Sequence, residues 1–199
     1  MAHKGKLVLL LLGFLLPFLV AGSAAAGGSK VNFRLQTKLE PCCGDPEPEG
    51  EGKAEYRTQT VNGQLKQERF RAEVKIPVPS AGLNIADAAA AESADVRVSL
   101  SGGGTYAVCR LEFVELELEN DFEDGILIES KATAVYLVDV ARQLKKGGYQ
   151  LRELNGSCDI DTATVDTQNG VPAVQSGDVA TATVVASGDT DFLDGTLAE

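Results

Sequence analysis

From Arg69 to Val78 the chain alternates without interruption, with Phe70, Ala72, Val74, Ile76 and Val78 on one side and Arg69, Arg71, Glu73 and Lys75 on the other. A period of two sends one set into a core and the other into water, which is the pattern of a half-buried antiparallel strand and of no helix. Upstream, Asn62-Gly63 separates Lys53–Val61 from Gln64–Val78. Both residues tolerate positive φ, so the sequence predicts a hairpin closed by a two-residue type I′ turn.

The same pattern extends in both directions. Val31–Leu39 (V-N-F-R-L-Q-T-K-L) alternates as a first strand, and Pro41, Cys42, Cys43 and the Pro-Glu-Gly stretch after them read as a surface loop over 40–52. Pro77 and Pro79 are expected to end the central strand. The alanine-rich segment Leu83–Ala94 is expected to be a short helix or crossover capped by Asn84. Asp95–Leu100 alternates again. Along Tyr106–Leu118 the apolar phase then switches from Ala107, Cys109, Leu111 and Phe113 to Val114, Leu116 and Leu118, the mark of a β-bulge.

Glu119–Gly125 is expected to be an acidic turn, Ile126–Val140 a long strand and Arg142–Gly148 another turn. Tyr149–Leu154 is expected to be a short strand, and Asn155-Gly156 a turn ahead of Cys158. Val179–Val185 and Asp191–Leu197 complete a closing hairpin. About eight to ten strands with turns this dense predict an all-β fold, an antiparallel β-sandwich or open barrel with one short helix or crossover.

Residues 1–26 carry Lys4 and Lys6, an apolar run from Leu7 to Val20 and small residues ending in Ala24-Ala25-Ala26. That is the three-part plan of a signal peptide, and its apolar run of about 14 residues falls short of the roughly 20 a spanning helix needs. The expected arrangement is a leader over 1–26 and a single β domain over 27–199, exported to the periplasm or the medium, with no membrane span after cleavage. Losing Lys4 and Lys6 takes the formal charge from −11 to −13. A surface of that sign repels phosphate backbones, so nucleic acid is not an expected partner.

The single histidine, His3, lies in the leader, and tryptophan is absent. The domain therefore has no imidazole for a Ser-His-Asp or Cys-His arrangement, and none to hold zinc or copper. Its aromatics (Phe33, Phe70, Phe113, Phe122, Phe192, Tyr56, Tyr106, Tyr136 and Tyr149) are few enough that a core claims most of them. A sugar-stacking platform is not expected, and neither is a cofactor.

Cys42, Cys43, Cys109 and Cys158 form an even set in an exported chain, which favours disulfides over a soft-metal site lacking paired CxxC spacing. Joining Cys42 to Cys43 closes an eight-membered ring around a peptide that prefers to be planar and trans, so that pairing is set aside. The remaining pairings tie the loop after the first strand to both Cys109 and Cys158. The competing outcome is one bridge, Cys109 to Cys158, with the vicinal pair left as thiols.

Glu119, Asp121, Glu123 and Asp124, or Asp159, Asp161 and Asp166, are the candidate oxygen ligands for calcium. Neither set has the spacing of a calcium-binding loop, and the expected reading is solvated turn residues.

The closing segment, V-P-A-V-Q-S-G-D-V-A-T-A-T-V-V from Val171 to Val185 and F-L-D-G-T-L from Phe192 to Leu197, resembles the end of a loose group of uncharacterised exported bacterial all-β domains. In that group a Gly-Asp opens a strand and a Leu-x-Gly-Thr closes the next, and E-R-F-R-A-E-V from Glu68 to Val74 is similar to its central strand. The resemblance implies a bacterial exported β domain and assigns no functional residue. In such a chain Asn155-Gly156-Ser157 reads as a turn and not as a glycosylation acceptor. The function expected is an exported, non-catalytic structural or binding module, its partner a protein or an envelope component met through loops at one end of the sandwich. The alternative is a small hydrolase using paired carboxylates, with or without calcium.

Intact-mass measurement on exported protein tests the leader. A mature N-terminus at or within a few residues of Gly27 is expected, and a mass that retains Leu7–Val20 would contradict it.

Overall fold

The computed structural model describes residues 29–43, 49–102, 105–158, 165–166, 171–172, 174–185 and 189–199. The leader, Asp159 and Asp161 lie outside these residues. The Asn62-Gly63 turn forms as its sequence demands, with φ of 55° and 73°. It joins β2 (Glu51–Val61) to β3 (Gln64–Val78). β1 (Lys30–Pro41) pairs along the far edge of β2. β7 (Ile126–Lys145) pairs along the far edge of β3. The outer edge of β7 carries two strands end to end, β6 (Glu112–Glu123) against Ile126–Leu137 and β8 (Gly148–Asn155) against Asp139–Lys145.

A second layer comprises β4 (Asp95–Ser101), β5 (Thr105–Arg110), β9 (Ser157–Cys158), β12 (Val179–Val185) and β13 (Asp189–Thr196). Its order runs β13-β12-β4-β5-β9. The layers join where Glu40 and Pro41 meet Asp194 and Leu193. On the opposite side β5 runs into β6 through Leu111, and β8 into β9 through Gly156. One antiparallel sheet of 11 strands thus folds over its own core without closing into a barrel. The short pair β10 (Val165–Asp166) and β11 (Val171–Pro172) stands apart.

The crossing at Gly156 depends on the missing side chain. Gly156 has φ of 61°, and a Cβ there would lie 2.2 Å from the carbonyl oxygen of Arg110. The expected bulge is also present, since the β6–β7 register slips between Phe113 and Glu115 and leaves Val114 as the extra residue. This restores the core phase, with Phe113 and Leu116 packed against the buried cluster while Val114 is exposed.

The largest buried side chains are Tyr56, Tyr136, Phe70 and Phe192, the first three from one layer and the last from the other. A short helix, α1 (Ala88–Ser93), covers this core. The Tyr136 hydroxyl donates to the Ala91 carbonyl oxygen at 2.7 Å, and burial pushes its pKa up to about 12.

Four boundaries differ from expectation. Asp87, not Asn84, caps α1, its carboxylate accepting from the Ala90 N–H at 2.8 Å. Asn84 instead ends a 3-10 turn over Ala81–Leu83 in the left-handed conformation. Pro77 does not end the central strand, because β2 stops opposite Lys75 and only β7 remains to be paired. Glu119–Glu123 belong to β6, and the turn is Asp124-Gly125 alone, both at positive φ.

The fourth concerns Arg142–Gly148, expected as a turn, where β7 instead continues to Lys145. Arg142 faces inward and is buried against Glu68, its Nε donating to Oε2 at 3.1 Å. Tyr56 donates to Glu68 Oε1 at 2.6 Å, and the Tyr149 ring lies over the Arg142 guanidinium at 5.0 Å. Two charges that sequence alone assigns to water are here ion-paired with each other in the interior. Removing one partner strands the other, so Arg142→Ala should lower the unfolding free energy by about 3–5 kcal/mol, whereas Glu68→Leu/Arg142→Met should recover most of that loss. Denaturant titration decides, and a double variant no more stable than the single one would contradict the pairing.

Candidate functional site

The outward positions of β1, β2 and β3 hold the cations Lys30, Arg34, Lys38, Lys53, Arg57, Arg69, Arg71 and Lys75. This one face carries eight of the sixteen cationic side chains left once Lys4 and Lys6 are set aside, interleaved with Glu40, Glu51, Glu55 and Glu73. Register aligns them in rows across the strands. Arg34 sits opposite Arg57 and Arg57 opposite Arg69; in the next row Asn32, Gln59 and Gln67 face one another. Strand pairing therefore converts residues distant in sequence into a ladder of guanidiniums beside a ladder of amides.

Carboxylates inside the face hold these cations in place. Arg34 and Arg57 both bond Glu55 Oε1, and Arg69 grips Asp139 with both prongs, Nε to Oδ1 at 2.7 Å. Lys53 meets Glu73 at 3.1 Å and Lys75 meets Glu117 at 2.7 Å. Burial pushes the Glu55 carboxyl upward, but hydrogen bonds from Arg57 and Arg34 and their charges outweigh it and leave it below its usual value. The hydrogen bond to Asp139 raises the Arg69 pKa.

The twisted sheet leaves shallow depressions along this face. One of about 370 Å³ lies among Arg34, Arg57, Gln59, Gln67 and Arg69. It meets a second of about 510 Å³ at Arg34, and that one shares Lys38 and Lys53 with a third of about 450 Å³. Together they form one trough whose lining mixes cations with Glu40, Glu51, Glu55, Glu73 and Glu199, and whose amide row, Asn32, Gln59 and Gln67, lies at the Arg34-Arg57-Arg69 end, where no carboxylate lines it. Each guanidinium has five N–H donors and gives only one or two to its carboxylate, so donors remain for a bound anion.

The acids singled out in the sequence do not converge in this way. Glu119, Asp121 and Glu123 are exposed along β6 and Asp124 is in its turn; of Asp166 only the backbone, in β10, is described. Among the described residues, the one group of three metal-capable side chains whose ligand atoms lie within 4.8 Å of one another is Cys42, Cys43 and Asp194.

The cysteines pair as Cys109 with Cys158 and Cys42 with Cys43. This corrects the expectation that the loop would be tied to both distant cysteines. Cys109 and Cys158 are direct register partners across β5 and β9 with Cα atoms 4.0 Å apart, so pairing has already placed them. Ring closure between neighbours is nonetheless achieved, because Cys43 turns back at φ of 33° and brings its sulfur to that of Cys42.

No other fold or function offers itself by likeness: no protein-family model, no curated protein and no solved structure matches the chain. Among the described residues no helix is long and apolar enough to cross a membrane.

The Glu55 clamp gives a pH signature. A depressed folded-state pKa contributes stability that is complete above the unfolded value, near 4.5, and is lost as pH falls through the lower folded value. The stability difference between the parent and Glu55→Gln should therefore shrink as pH drops below 4.5. Denaturant midpoints across that range test it, and a difference that stays constant or grows would contradict the clamp.

Proposed function

We propose that the chain is an exported, non-catalytic binding module whose trough holds a carboxylate-bearing polysaccharide of the cell envelope. The observation that carries this reading is the row Arg34-Arg57-Arg69 beside the row Asn32-Gln59-Gln67. Guanidiniums recognise carboxylates, and side-chain amides offer a donor and an acceptor to hydroxyl groups. A uronic-acid polymer presents both chemistries along one chain. Recognition by an open sheet face also differs from the loop-end binding expected from sequence, since the ordered cations lie mid-strand.

The hydrolase alternative draws no support from this site. Burial tends to raise Glu55, yet its arginine hydrogen bonds leave it below its usual value, which suits an anionic clamp and not a general acid. Export rests on the leader and on the disulfides, which form and persist in oxidising compartments.

Calorimetric titration with polygalacturonate tests the proposal, with neutral dextran as control. Binding should weaken as salt rises, and Arg34→Gln/Arg57→Gln should reduce affinity by at least about tenfold. Unchanged affinity in that variant, equal binding of dextran, or binding of poly-glutamate alone would overturn it, the last in favour of an acidic protein partner.

A further inference from the structure

We propose that Cys42, Cys43 and Asp194 form a reduction-gated site for a thiophilic divalent cation. The register of β1 against β13 sets Glu40 opposite Asp194 and Pro41 opposite Leu193. Pairing continues one residue past the strand, where the Cys42 N–H donates to the Phe192 carbonyl oxygen at 2.9 Å. Period-two alternation then puts Cys42 on the side of Glu40 and Asp194. The left-handed Cys43 folds its sulfur back, and an Asp194 carboxylate oxygen lies within 4.8 Å of both sulfurs.

The position of Asp194 is fixed independently of the cysteines. A Cβ on its neighbour Gly195 would fall 2.0 Å from the Lys38 carbonyl oxygen, so β13 approaches β1 as closely as a glycine allows. Two soft sulfur donors and one carboxylate oxygen, a mixed set that zinc accepts, are thus held at one point of the sheet. Cys42 is half-buried while Cys43 and Asp194 are exposed, which leaves the point open to solvent.

Redox state decides whether this point offers ligands. A disulfide between neighbours encloses a trans peptide, here with Cα atoms 3.8 Å apart, in an eight-membered ring. Strained or exposed disulfides are the labile ones. A dithiol reductant attacks the exposed Cys43 sulfur to give a mixed disulfide, and its second thiol then closes the reductant's own disulfide and releases the Cys43 thiolate. The net transfer is two electrons and two protons to the pair.

A zinc-like cation next displaces the two thiol protons, takes both thiolates and an Asp194 oxygen, and keeps a water as its fourth ligand. Cys109 and Cys158 are both buried, so the second bridge survives conditions that open the first. This site is independent of the polysaccharide reading, although Glu40 and Pro41 also line one end of the trough.

The test uses the mature chain treated with limiting dithiothreitol. Alkylation and mass mapping should find two thiols, at Cys42 and Cys43, with the other bridge intact. Competition for Zn²⁺ against a chromophoric chelator should then show one ion bound per reduced chain and none per oxidised chain. Asp194→Asn should weaken binding by about tenfold or more, and Cys43→Ser should abolish it. Thermal melts of each variant should match the parent, and a Cys42→Ser variant supplies the same readout if Cys43→Ser fails to fold. Equal Zn²⁺ affinity in oxidised and reduced protein, unchanged affinity in Asp194→Asn, or earlier opening of Cys109–Cys158 would overturn the proposal.

Discussion

Twelve consecutive residues of β3, Gln67 to Val78, pair with twelve of β7, Gln143 to Ala132. That ladder is the spine of the first layer: β2 and then β1 build on one side of it, β6 and β8 on the other. Its inner face supplies Phe70, Val74, Ile76, Tyr136 and Val138 to the core, while its outer face carries Arg69, Arg71 and Asp139. A slip of β3 by one residue would exchange its two faces, putting Arg69, Arg71, Glu73 and Lys75 into the interior. The buried Glu68–Arg142 pair adds a polar lock to this register, because only the native alignment, Glu68 opposite Arg142, brings the two together. Such a pair contributes little net stability against an apolar substitute, and its value lies in penalising the wrong alignment.

The same ladder explains how an acidic chain presents rows of ordered guanidiniums. Apart from the buried Glu68–Arg142 pair, alternation keeps the charged residues of this ladder off the core face, and register then gathers the cations of β1, β2 and β3 into rows. A further group of acids, Glu117, Glu119, Asp121 and Glu123, is exposed along β6 at the edge of the sheet. The trough's own carboxylates order the guanidiniums before any ligand arrives, lowering the entropic cost of recognition. An anion meets preset donors against a background of long-range repulsion, an arrangement that favours close, specific contact over diffuse attraction.

Much of this was legible in the sequence. The type I′ turn, the alternating strands, the bulge beside Phe113 and the closing hairpin each follow from a local rule, and each is present. What failed to show were pairings between distant residues. Arg142 reads as a turn residue until Glu68 is known to lie opposite it, and Asp87 competes with Asn84 as a cap on equal local terms. The arginine row is invisible in one dimension because Arg34, Arg57 and Arg69 meet only through register. Conversely, the acids Glu119, Asp121 and Glu123 draw the eye as a cluster, yet strand geometry spreads them along one exposed edge. The cysteine pairing turned on a backbone conformation, Cys43 at positive φ, that no composition rule anticipates.

The most direct test of the claim that the outer face of β1, β2 and β3 is the functional surface is residue-resolved NMR of the mature domain titrated with oligogalacturonate. The account predicts shift perturbations concentrated at Arg34, Arg57, Gln59, Gln67 and Arg69, with the β6–β7 hairpin unaffected. Perturbations confined to that hairpin or to the loops, or none at saturating ligand, would contradict it.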